Sequence, residues 1–363
     1  MNKKLTAYII AATMSVATPL MAGNDVKRGQ GGASELLINP WGRSSGWAGA
    51  NTACVRGVES MNLNMAGLAY TSKTEFVLSN VRYMSGSGIQ VNSVGLGQRL
   101  SETGVLGVSV TAMNLGDFIE TTYELPDGTG SSFKPQFFNL GVGYSKQFSG
   151  SISAGVLVRL VSQSIPDANA LGACFDAGVQ YQTGARKQFK FGAAIRNLGP
   201  KMQYRGDGFS FRGTRDQIGL TVQSRTAQFD IPALLNIGGS YDFQLAPEHR
   251  LTLAANFVSN SYTKDNLQSG LEYGFGDLVQ VRGGLNYQKQ IFTSNKTDAN
   301  SGPTFGATLN LPFSLLGTKK TTEEGATAET SPEKSHRSLG FDYSFRSTNP
   351  YSGTHTISLI LKL

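Results

Sequence analysis

Beyond its first 22 residues the chain has no apolar run approaching the roughly 20 residues that an α-helix needs to cross a bilayer. That absence, with 39% hydrophobic residues and a mean hydropathy of −0.18, excludes a helical membrane protein. Cysteine is also scarce. Cys54 and Cys174 stand 120 positions apart, with no spacing that suggests a metal or redox site. They could bridge in an oxidising compartment, but two unpaired buried thiols are the favoured expectation. Only three histidines occur, His249, His336 and His355, and none belongs to a His-x-x-His or His-Glu pair. Gly-x-Ser-x-Gly is missing, and no glycine-rich patch is followed by the Lys-Ser/Thr that cradles phosphate. No nucleophile and base stand together, so the chain is expected to be no enzyme and to need no cofactor or metal. The net charge of +7 comes from scattered Lys and Arg without a nucleic-acid-binding motif, so no nucleic-acid partner is expected.

Present in quantity are glycine, at 44 of 363 residues, with 20 Phe and 13 Tyr. The chain's last ten residues organise the rest. Ile357, Leu359, Leu361 and Leu363 alternate with Thr356, Ser358, Ile360 and Lys362, and a period of two places each set on one face of a strand. A greasy terminal strand with an open edge invites aggregation. A barrel that closes its first strand on its last, with lipid outside, has no edge.

From Thr74 onward, short alternating runs recur between turn signals. They fall at about 74–84, 88–100, 104–114, 136–148, 151–163, 170–182, 188–197, 233–243, 249–258, 265–275, 278–289, 302–311, 337–346 and 354–363. Fourteen runs, mostly near the 9–11 residues of a tilted transmembrane strand, predict an all-β, antiparallel, fourteen-stranded transmembrane barrel over 74–363. The even count returns both ends to the periplasm. Even-numbered connections such as Ser149-Gly150 and Gly276-Asp277 are short, while 115–135 and 198–232 are long and should face outward. The second of these has room for an extra hairpin. Residues 312–336, rich in Lys, Thr, Glu, Ala and Ser, break the rule. They read as a flexible charged insertion on the periplasmic side, or as a sign that one strand is miscounted.

Lys3 and Lys4, the apolar run Leu5 to Ala17, and Leu20-Met21-Ala22 before Gly23 form a secretory signal peptide over 1–22. A signal peptide followed by a barrel implies a bacterial outer membrane, with its lipid as a partner. Residues 23–73 hold both tryptophans, Trp41 and Trp47, and are expected to form a plug or lid over the periplasmic mouth. Within them Ser60 to Tyr70 predicts a short helix with Ser60 as its N-cap. A disordered leader is the other reading.

Charge is costly at the lipid midplane, so the charged face of each strand must be the lumen. Arg99, Arg159, Lys190, Arg196, Arg282 and Arg346 are placed inward on the alternation, against Asp176, Asp242 and Asp342. Such mixed charge either fixes the lumen through ion pairs or lines a substrate path. In the outward loops Asp127, Phe133, Phe209, Phe211, Arg212 and Arg215 are candidate partner-binding residues, since aromatic and Arg side chains commonly anchor interfaces. The other reading is that these loops fold over the mouth.

Four stretches resemble one known family. Arg196-Asn197-Leu198-Gly199-Pro200-Lys201 is similar to the "RNLGPK" turn of the PorV/PorQ family, FadL-like fourteen-stranded outer-membrane barrels of Bacteroidetes and relatives. Gly116-Asp117, Thr121-Thr122 and Pro126 to Gly130 resemble its "G-D…T-T…P-x-G-T-G" loop. Phe175 to Gly184 resembles its "FDxGxxYxTG" strand, and Asn62 to Leu68 its "W-N-P-A-G-L" element. Leu63 and Met65 replace the tryptophan and proline of that last motif. The resemblance implies a component of type IX secretion. It would bind the C-terminal signal domain of secreted cargo or a large SprA/Sov-type translocon barrel, and hand cargo to a PorU-like sortase and attachment complex. Two rivals remain: a FadL-like transporter of hydrophobic small molecules, which would need an apolar lumen pocket and a gap in the wall, and a general porin.

Overall fold

In a computed structural model, residues 27, 29–215, 218–288, 299–314, 337–349 and 351–363 are described. The signal peptide and residues 315–336 of the charged insertion lie outside them. Fourteen antiparallel strands form a closed barrel: β1 (Thr74–Arg82), β2 (Gln90–Arg99), β3 (Gly104–Asn114), β4 (Gln136–Gln147), β5 (Ile152–Ile165), β6 (Ala168–Thr183), β7 (Phe189–Leu198), β8 (Leu234–Ala246), β9 (His249–Asn260), β10 (Asn266–Phe275), β11 (Val279–Gln288), β12 (Gly302–Pro312), β13 (Ser338–Arg346) and β14 (Thr354–Lys362). The seam is antiparallel, with Glu75 opposite Lys362, Ser79 opposite Ser358 and Arg82 opposite His355.

The alternation seen in the sequence sets the two faces. Leu78, Val94, Val142, Val158, Ile237, Val281, Phe305 and Ile357 point outward and are exposed. Their chain neighbours Ser79, Ser93, Arg159, Asn236, Arg282, Thr304 and Ser358 are buried inside. A soluble protein does not present so many large apolar side chains on one continuous surface, and lipid is the solvent that accepts them. Aromatic groups gather where strands meet the interfaces. Tyr241 contacts Phe189 at 4.6 Å and Phe243 at 4.4 Å, near the short turns. His249 hydrogen-bonds Tyr273 at 2.6 Å beside Phe275 at that end, and His355 bonds Tyr343 at 2.8 Å beside Phe345 at the other.

The loop after β7 does carry an extra hairpin, Ser210–Arg215 with Ile218–Gln223, and a two-residue ladder joining Met202–Gln203 to Gln228–Phe229. The loop after β3 folds on itself through Phe118–Ile119 and Ser132–Phe133. The β5–β6 connection is tighter than its outward position suggests, because both strands extend until Ile165 pairs with Ala168.

The segment before β1 differs from a lid. Its short helices, Ser34–Leu37, Gly42–Gly46, Ala50–Ala53, Val58–Asn62 and Met65–Tyr70, lie inside the barrel. Gly31 bridges Asp230 in the long outward loop, and the chain then descends past Ser79, whose hydroxyl bonds the Pro40 carbonyl. At the periplasmic end Arg99 gathers the carbonyls of Ala69, Thr71 and Ser72 as the chain turns into β1. The expected single helix over 60–70 is two 3-10 turns. Asn64 caps the second by accepting from the Ala66 N–H at 3.2 Å, while Ser60 instead donates to the Gly57 carbonyl.

Wall glycines explain how a plug fits. A Cβ on Gly155, Gly178 or Gly284 would sit 2.7 Å from the Met65 carbonyl oxygen, 2.1 Å from Asn64 Oδ1 and 2.6 Å from the Trp47 backbone, respectively. These positions let the plug backbone, and at Gly178 the Asn64 side chain, approach strand backbone directly. Trp41, Val58, Met61, Met65 and Leu68 of the plug then form one apolar cluster with Val77, Val105, Leu157 and Ile360 of the wall. Both cysteines are free, with Cys174 buried and Cys54 half-buried.

Candidate functional site

The inward charges fall into separate groups around the lumen. On β5 and β6, Arg159 pairs with Asp176 at 3.1 Å, and both are buried. The β6–β7 register shifts at this point, and Asn197 adopts a left-handed φ of 58°. Its N–H donates to Asp176 Oδ1 at 2.6 Å, its Oδ1 accepts from Arg159 at 3.0 Å, and its side-chain N–H reaches the Pro232 carbonyl. The Arg-Asn-Leu-Gly stretch is therefore a bulge that ties two wall strands to the outward loop. On β7 and β8, Lys190 pairs with Asp242 at 2.5 Å.

The third group locks plug to wall. Glu272 on β10 accepts from Arg282 Nε at 3.0 Å, Trp47 Nε1 at 3.2 Å, Arg43 at 3.3 Å and Arg250 at 3.4 Å. Arg282 also lies 3.9 Å from Asp342, and Thr308 bridges the two. In the plug, Ser44 donates its N–H and its hydroxyl to Glu59. Burial pushes the Glu59 carboxyl up to about 7 and the nearby Asp342 charge adds to this, while Arg43 and the Ser44 hydrogen bonds pull it back. Arg43 is held above its ordinary value, chiefly by Glu272.

Above the plug, in the outward half of the lumen, lies a cavity of about 250 Å³. Leu37, Ile38, Asn39 and Leu63 of the plug form part of its lining. The wall contributes Arg196, Asn236, Val258, Asn266, Asn286 and Arg346 among others. Among the described residues no Asp or Glu lines it.

Of the residues placed inward from sequence, Arg159 and Asp176 come together, as do Arg282 and Asp342; Arg196 and Arg346 line the cavity instead. The loop candidates are not brought into one site. Phe133 stacks on Phe118 at 5.8 Å in its own hairpin, and Asp127 is exposed beyond it. Phe211 is exposed on the second hairpin, opposite Val222, with Arg212 on the other face opposite Thr221; Phe209 closes the turn before it, and Arg215 pairs with Ile218 at its tip. Glu272 was missed from sequence, although its place between Leu271 and Tyr273 marks it as inward. Arg43 and Glu59 gave no periodic signal, because the plug has no regular period.

The fold and its plugged interior define the class: a fourteen-stranded outer-membrane β-barrel with the FadL-like fold. No protein-family model matches the sequence, and no curated protein matches it. Solved structures do share the fold. The CymD monoaromatic hydrocarbon channel aligns with a TM-score of 0.52 at 13% identity, over 90% of this chain and 98% of that one. The toluene transporters TodX of Pseudomonas putida and TbuX of Ralstonia pickettii give TM-scores of 0.51 and 0.52, each at 13% identity over 89% of this chain and 97% of theirs. These neighbours are one channel and two transporters.

Proposed function

We propose that this protein is an outer-membrane transporter that admits a small molecule from the cell exterior into the chamber above the plug. The observation that carries the reading is the chamber itself. Plug and wall together bound a space of about 250 Å³ at the outward end of a lumen whose lower part is packed shut. An engineered cavity of about 150 Å³ takes one benzene ring, so this one accommodates a molecule somewhat larger. Passage then requires the plug to shift, and the ion pairs on Glu272 are what resist that shift. The fold shared with channels and transporters supports the same class. The chamber's amides and arginines depart from the apolar pocket expected of a hydrocarbon carrier, although Leu37, Ile38, Leu63, Leu234 and Val258 supply an apolar part. Uptake of small solutes by cells with and without the gene is the test, and equal uptake of every solute tried would remove the reading.

A second reading, a component of type IX secretion, is favoured by the resemblance around Arg196 to Met202 and by exposed aromatic groups on the outward hairpins, Phe118, Tyr123 and Phe211. Under it the partners are a SprA/Sov-type translocon, cargo bearing a C-terminal signal domain and a PorU-like sortase. Purification from native membranes separates the two readings. A very large barrel or cargo protein bound to the hairpins supports secretion, whereas a bound small molecule without protein supports transport.

A further inference from the structure

The buried arginines are treated unequally. Among the described residues Arg159 and Arg282 each form ion pairs with carboxylates, but Arg196 forms none. It is 93% buried on β7 and hydrogen-bonds from Nη2 to Asn62 Oδ1 at 3.2 Å; its Nε is buried without a partner among the described residues. Asp176 attracts it from beyond ion-pair distance but is already paired with Arg159, and a buried guanidinium with no ion pair of its own gains from an anion that reaches it. Arg196 lines the chamber.

The chamber's amides point the same way. Asn236 spends its side-chain N–H on the Leu63 carbonyl at 3.5 Å, and Asn286 spends its own on the Asn300 carbonyl at 3.3 Å. The Oδ1 atoms of both, and of Asn266, are buried without hydrogen-bond donors. The nitrogens of Asn236 and Asn286 being committed to carbonyls, their oxygens are the atoms left over, and an oxygen acceptor asks for a hydroxyl or amine proton. Lys264 and Arg346 add positive charge to the lining. Asp265 is near, but its Oδ1 accepts the Asn260 N–H at 3.0 Å.

From this geometry we infer that the chamber binds a small, hydroxyl-rich carboxylate, of the sugar-acid class. The guanidinium of Arg196 takes the carboxylate through Nε and Nη in the fork geometry that suits it. Asn236, Asn266 and Asn286 accept from the ligand's hydroxyls. This rests on the transport reading and narrows its substrate class away from hydrocarbons.

Calorimetric titration of the full-length protein in detergent tests the inference, with galacturonate, gluconate, galactose and hexadecanoate as probes. At least one of the two hydroxy-carboxylates should bind, galactose should bind at least tenfold more weakly, and Arg196→Gln should weaken the hydroxy-carboxylate tenfold or more. Asn62→Ala removes the contact that Arg196 makes with the plug but leaves the charge in the chamber. It should bind as the wild type does, which separates ligand recognition from a role in plug docking. Heat-modified electrophoretic mobility confirms that each variant is a folded barrel. Should Arg196→Gln fail that check, Asn236→Leu serves in its place, and it should weaken binding of the same ligand without abolishing the preference for carboxylate. Binding of hexadecanoate with neither hydroxy-carboxylate overturns the inference and leaves the transport reading standing. Binding of none of the four overturns it as well, and with co-purified translocon or cargo the transport reading falls too. Equal affinity in the wild type and Arg196→Gln would show that the guanidinium is not the anion's partner.

Discussion

Replacing Glu272 with Gln should loosen the plug while leaving the barrel intact. The substitution keeps the size of the side chain and removes its charge. In the native lumen that charge faces three guanidiniums and the Trp47 N–H. The contributions are unequal. Arg282 is 0% exposed and Glu272 3%, so their 3.0 Å contact is unscreened. Arg43 and Arg250 are 32% and 36% exposed, so solvent weakens their share. Breaking one buried pair by removing one partner costs about 3–5 kcal/mol. Arg282 keeps Asp342 at 3.9 Å and Thr308, which places the expected loss near the lower figure of about 3 kcal/mol. Arg282 and Arg250 belong to the wall, so docking loses only the share carried by Arg43 and Trp47 of the plug, about 1.5 kcal/mol for a hydrogen bond to a charged group beside a screened pair. At about 1.4 kcal/mol per decade, the docked population should fall roughly tenfold relative to the released one. Hydrogen–deuterium exchange resolved by peptide measures this directly. Protection of peptides within residues 34–70 should fall by about one decade, with strand peptides on β3 to β6 unchanged. Unchanged plug protection would refute the role given to Glu272. Equal loss in plug and strands would show that the network holds the barrel and not the plug.

Glu59 should make docking depend on pH. Its carboxyl sits at about 7 when docked, against an ordinary value of 4.5, so between those values the docked state holds the extra proton. Docking is then strongest below about 4.5 and weakens as pH rises through 7; plug protection, corrected for intrinsic exchange, should fall over that window, and Glu59→Gln should flatten the profile. Val158 is 53% exposed near the middle of β5, and Val158→Arg should cost about 2–4 kcal/mol in urea unfolding from vesicles if that face meets lipid. A change within about 0.5 kcal/mol would mean water lies outside instead. Asn197 holds a φ of 58°, so Asn197→Gly should be less damaging than Asn197→Ala by about 1 kcal/mol, both losing the Arg159 and Pro232 contacts. Equal losses would mean that the bulge carries no backbone strain.

The wall was largely legible because a strand between lipid and a polar lumen has to alternate. Leu339, Phe341 and Tyr343 against Asp342 and Ser344 could be sorted by period alone, and each strand was placed to within a few residues. The inward placement of Arg159, Asp176, Arg282 and Asp342 follows from the same rule, but which of them pair does not, because that depends on strand register and on the plug. The plug was not legible in this way. Its 3-10 turns have no apolar period, and its place inside the lumen depends on wall glycines such as Gly178 that leave room for Asn64. A glycine count shows that backbone can approach closely somewhere, not where. The chamber was hidden for a related reason. Arg196 reads like any other inward arginine until the structure shows that Asp176 is taken by Arg159 and by the Asn197 N–H.

The central claim is that the segment before β1 is seated inside a closed barrel. The direct measurement is a disulfide between plug and wall. Gly42 donates its N–H to Ser358 Oγ at 2.9 Å on β14, so Gly42→Cys combined with Ser358→Cys brings two thiols together only if the plug occupies the lumen. Oxidation of intact cells followed by peptide mapping should recover a covalent link between the two positions. Two free thiols in a correctly folded barrel would contradict the claim.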